Sequence, residues 1–121
     1  MKTAILIAVL ISTTSSAYAG EVEYKAHPGD KGRYFILEKT KLGNGDVRML
    51  IKRVGPLDTT FSLREFKCPG GEGSLHRYVA EGDRIEDLKT NAAAKAKNGA
   101  NNWSPTSYGS STFYAHVVAC K

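Results

Sequence analysis

The stretch RYFILEKTKLGNGDVRMLIKRV, residues 33–54, decides the fold. Arg33 to Thr40 is aromatic and β-branched enough to form a strand, apolar on both faces in its middle. Val47 to Val54 reads as its partner, with Val47, Met49 and Ile51 on one face and Arg48 and Lys52 on the other. Between them, Leu42-Gly43-Asn44-Gly45-Asp46 supplies residues that tolerate positive φ, as a tight hairpin connection requires. An antiparallel hairpin is the expected centre of a sheet.

Working outward, Gly20 to Gly32 is polar, with a turn at Pro28-Gly29-Asp30 and a short edge strand around Val22–Tyr24. On the other side, Gly55-Pro56-Leu57-Asp58 turns the chain into a strand from Thr59 to Cys68. Phe61 and Leu63 share one face of that strand while Phe66 and Cys68 share the other. Either both faces are covered or a bulge shifts the register. The turn Pro69 to Gly73 leads into Ser74 to Ala80, where Leu75 and Val79 are in phase. Short Gly-rich turns between successive strands favour an antiparallel meander over βαβ units.

The texture then changes. Asp83 is a candidate cap for a helix over 84–97, with Ile85, Leu88 and Ala92 at helical spacing and Asn98-Gly99 as its stop. Its apolar face is thin, so a surface helix and a loop both stay open. Asn101 to Gly109 is irregular and carries Trp103, the largest side chain offered to the core. Ser110 or Ser111 caps a final helix over 112–119, with Phe113, His116, Val117 and Cys120 on one face; a last strand is the rival. The expected class is α+β: an antiparallel sheet of four to six strands in a meander, a C-terminal helix packed on it, and one disulfide.

The N-terminal run has Lys2, then an apolar core from Ala4 to Ile11, then Ala17-Tyr18-Ala19 before Gly20. That order is a secretory signal peptide over 1–19, leaving a single domain over 20–121 in the periplasm or outside the cell. The apolar run is far short of the about 20 residues a membrane span requires, and no later stretch is longer, so no span is expected after cleavage. In an oxidising compartment the only two cysteines, Cys68 and Cys120, are a natural pair. Closing so long a loop stabilises a small domain by about 4 kcal/mol. The formal net charge of +5 includes Lys2 and is scattered along the chain, so it favours anionic encounters without forming an interaction tail.

Chemistry is sparse. His27, His76 and His116 stand far apart and in no metal spacing, and the chain has no GxSxG elbow, P-loop or dinucleotide fingerprint. Oxidised cysteines are not nucleophiles. No metal, cofactor or catalytic residue is expected, and the chain reads as a non-enzyme. The basic and aromatic alternation in Arg64-Glu65-Phe66-Lys67 and His76-Arg77-Tyr78 fits a half-buried strand better than stacked nucleic-acid bases.

A strand ending in Cys68, the basic-aromatic Arg77-Tyr78, a lone Trp103, Gly109-Ser110 before the last helix, and Cys120 together form a pattern. It is similar to the surface-adhesin protein E-like family of small exported bacterial proteins, over the C-terminal half of the exported part. The resemblance implies a sheet with a packed terminal helix tied to it by the disulfide, and a role in binding rather than catalysis. Gly20 rather than Cys follows the cleavage site, so a lipid anchor is not expected. The expected function is an exported, adhesin-like binding module of the envelope. Arg77, Tyr78, Trp103 and Tyr108 are its candidate contacts, and its partner is a protein or an anionic surface. The alternatives are an inhibitor or accessory protein docking on a cell-wall enzyme or secretion apparatus, and a small hydrolase using His76.

Overall fold

In the computed structural model, which describes residues 21–88 and 102–121, the strands follow one another across one antiparallel sheet in sequence order. They are β1 (Val22–Tyr24), β2 (Arg33–Lys41), β3 (Val47–Val54), β4 (Thr59–Phe66), β5 (Leu75–Gly82) and β6 (Ser104–Pro105), followed by the helix α1 (Ser111–Ala119). The meander expected from the short turns is the arrangement found. The disulfide joins Cys68 to Cys120, with Cα atoms 5.5 Å apart. The expected signal peptide, residues 1–19, lies outside the described residues. So does the expected helix beyond residue 88. Among the described residues, no helix is long and apolar enough to cross a membrane.

The central hairpin pairs Arg33 with Val54 and Lys41 with Val47, and Gly45 adopts φ +91° in the connection. A bulge between Ile36 and Glu38 resolves the two-sided apolar run in β2. Ile36 enters the core beneath α1, while Leu37 joins the cluster on the other face. β4 was open to two explanations, and both hold. Phe66 is buried beneath α1 while Phe61 and Leu63 pack on the opposite side, and the β4–β5 register shifts between Leu63 and Arg64.

The main core lies between the sheet and α1: Tyr24, Ile36, Val47, Met49, Ile51 and Phe66 meet Ala115 and Ala119. On the reverse face, residues 85–88 form a helical turn whose Leu88 packs with Leu50 and Ala80. Of the expected helix, this turn alone falls within the described residues, and Leu88 is its anchor.

The C-terminal segment is a helix, not the rival strand, because Ser110 Oγ accepts from Phe113 N–H and the ladder continues to Cys120 N–H on His116 O. Its buried stripe differs from the one expected. Ala115, His116 and Ala119 face the sheet, whereas Val117 is 42% exposed. Two alanines let the helix backbone approach closely, and the larger Val117 is left outside. Both ends of α1 are tied down. Ser111 Oγ accepts from His27 N–H and donates to Asp30 Oδ2 at 2.9 Å, while Lys39 Nζ donates to Val118 O at 2.8 Å. Gly70 is needed near the disulfide, since a Cβ there meets His116 Cδ2 at 2.9 Å.

Candidate functional site

On the face of the sheet away from α1, register places Arg48 beside Glu65 and Glu65 beside Arg77. Arg77 donates from Nε and Nη2 to Glu65 Oε1, at 2.9 and 2.6 Å. Arg48 donates to Oε2, so both carboxylate oxygens are held. The Glu65 side chain is only 3% exposed. Burial alone raises the pKa of such an acid, but the two guanidinium groups hold Glu65 below its ordinary value. Two residues on, Lys67 projects from the same face and reaches Asp46 Oδ2 at 3.5 Å.

β6 pairs with β5 only at Leu75 and His76, and the residue before it is Trp103. This short edge strand lays the indole over the β4–β5 cations. Lys67 Nζ is 4.3 Å and Arg77 Cζ 4.4 Å from the ring centroid. Each contact is worth about 0.5–1 kcal/mol where water reaches it. Trp103 is half-buried and belongs to neither core cluster, although it is the largest side chain available to the core. It covers the Lys67 and Arg77 charges. Beside Arg48 the same face opens into a hollow of about 260 Å³, floored by Leu42, Leu50, Leu63 and Leu88.

The four candidate contacts do not form one patch. Arg77 and Trp103 meet on the helix-free face. Tyr78 sits on the opposite face, its ring 4.2 Å from Arg64 Cζ. Tyr108 is 74% exposed just before α1, its ring 4.8 Å from that of Phe113. Lys67 was missed as a contact. Its signal was its two-residue spacing from Glu65 on a strand, which puts it on the same face as Arg77 once β4 and β5 pair.

The histidines are structural in setting. His116 is fully buried: Nε2–H donates to Lys67 O at 2.6 Å, so Nδ1 accepts from the Thr106 hydroxyl at 3.1 Å. His76 lies on the α1 side of the sheet and is half-buried. It stacks on Phe66, and its buried Nδ1 has no hydrogen-bond partner among the described residues. Burial, with help from Arg64, pushes the His76 pKa down to about 4. His27 is exposed, its Nδ1 accepting from Gly29 N–H. Among the described residues, no group of three His, Cys, Asp or Glu side chains is placed to hold a metal ion.

One charge stands apart. Arg64 is 3% exposed, lies between the Phe66 and Tyr78 rings, and its side chain makes one hydrogen bond among the described residues, from Nη2 to Thr112 Oγ1 at 2.9 Å. Desolvating a guanidinium costs several kcal/mol, and such aromatic contacts return about 2 kcal/mol.

Compared with protein-family models, curated proteins and solved structures, the chain matches none. The functional reading therefore stands on this geometry.

Proposed function

We propose that the chain is an exported binding module rather than an enzyme, and that it meets an acidic partner through the helix-free face of its sheet. One observation carries the reading: a half-buried tryptophan outside the core, laid across Lys67 and Arg77. Tryptophan and arginine are enriched where binding energy concentrates, and cations around an indole select an anionic surface. The side chains best suited to acid–base work are engaged internally: Glu65 by two arginines, His116 between Thr106 and Lys67. A disulfide closing most of the second half of the chain supports export, because such bonds persist in oxidising compartments. Binding in the bacterial envelope is also what the protein E-like resemblance implies.

Trp103 is the only tryptophan, so its fluorescence reports this face alone. Titrating the oxidised protein with polyglutamate and with heparin at low salt is expected to shift or quench that emission. The response should weaken with added salt, as surface ion pairing does. Lys67→Ala should reduce affinity roughly threefold to tenfold, about 1 kcal/mol. Emission that is indifferent to both polymers at low salt overturns the reading.

A further inference from the structure

Arg64 is a buried, permanently charged group whose counter-charge the chain does not supply. All twelve Asp and Glu residues fall within the described residues, and none forms an ion pair with it. Neither undescribed segment contains an acidic side chain. The guanidinium faces aromatic rings and one neutral hydroxyl, which offset only part of its desolvation.

Thr112, which accepts the Arg64 hydrogen bond, lies in the first turn of α1, whose own residues include no acid. The carboxylate that reaches this turn, Asp30, is held by Ser111, Tyr34 and Arg53 and forms no ion pair with Arg64. Three buried polar side-chain atoms lack partners among the described residues: Arg64 Nε, Tyr24 Oη and His76 Nδ1. Arg64 Cζ lies 5.3 Å from the Phe66 ring, His76 stacks on that same ring at 6.3 Å, and Tyr24 belongs to the same core cluster as Phe66. Buried orphan atoms gathered around one cluster mark a site for something the chain does not itself contain.

We propose that Arg64 holds a small monovalent anion, a halide or a formate-sized carboxylate, enclosed between the sheet and the first turn of α1. The size follows from access: a group 3% exposed is out of reach of a macromolecular partner. The single charge follows from the lone guanidinium. This site lies on the opposite face from Trp103 and is independent of the proposed docking surface.

The test is thermal unfolding of the oxidised protein at constant ionic strength, with chloride or formate replacing bulky gluconate from about 1 to about 300 mM. The melting temperature should rise by several degrees with either small anion, and Arg64→Met should abolish that dependence. Should the variant not fold, crystals of the wild-type protein grown in bromide decide. An anomalous peak within hydrogen-bonding reach of the Arg64 guanidinium is the expected result. A melting temperature indifferent to both anions, a dependence that survives Arg64→Met, or no bromide at Arg64 overturns the proposal.

Discussion

At the scale of single residues, the fold rests on polar groups held in one protonation state. His76 and His116 are both kept neutral by burial, with His116 further defined by the Lys67 carbonyl and the Thr106 hydroxyl. A histidine whose pKa is lower folded than unfolded binds protons more readily in the unfolded chain, so its stability is intact above the unfolded value and is lost as pH falls. For His76 the window runs from about 6.5 down to about 4. Because the ring is only partly buried, the loss across that window is on the order of 2 kcal/mol. Denaturant titrations at pH 7 and pH 4.5 should show this loss, and His76→Phe should flatten it. Asp30 loses its contribution mainly below that window, as pH falls through the ordinary carboxylate value. Hydrogen bonds from Tyr34, Gly32, Ser111 and Arg53 outweigh its burial and hold its carboxyl far below the usual range.

At the scale of elements, α1 is positioned by its smallest residues. Ala115 and Ala119 are fully buried against the sheet, so Ala115→Leu should force the helix outward and cost about 1–3 kcal/mol. Val117→Ala on the exposed side should change stability by less than about 0.5 kcal/mol. Urea midpoints of the two variants give the comparison directly. The same element shows what the sequence makes legible. The Ser110 cap and the start of the helix could be read from local chemistry, but the buried stripe could not. Ranking residues by hydrophobicity selects Phe113 and Val117, whereas the helix–sheet distance selects alanine. The strands of the meander were readable for the opposite reason: Val47, Met49 and Ile51 alternate cleanly, and period-two patterning carries the face assignment with it. The two-residue β6 was not readable, since Ser104-Pro105 has no strand propensity; it is held between the Trp103 indole on Lys67 and Arg77 and the backbone hydrogen bonds of Thr106 with Gly73 and Ser74. Nor was the separation of Tyr78 from Arg77, which depends on strand alternation placing neighbouring residues on opposite faces.

At the scale of the whole molecule, the disulfide spans 52 residues and ties the end of β4 to the end of α1. For a domain of this size, losing such a cross-link removes about 4 kcal/mol, a large share of a total stability of about 5–15 kcal/mol. The double replacement Cys68→Ser with Cys120→Ser should therefore lower the melting temperature by more than 10 °C by calorimetry, at about 4–8 °C per kcal/mol. The two faces of the sheet are put to different uses. One carries α1, the main core and the enclosed Arg64; the other carries Leu88, the Arg48–Glu65–Arg77 ladder and Trp103. We propose the second face as the docking surface. Its most direct test is amide and indole chemical-shift mapping of the ¹⁵N-labelled, oxidised protein during titration with polyglutamate. Shifts should concentrate at Lys67, Arg77 and Trp103 and leave α1 undisturbed; shifts centred on Ser111–Ala119, or none at the Trp103 indole, would place the docking surface elsewhere.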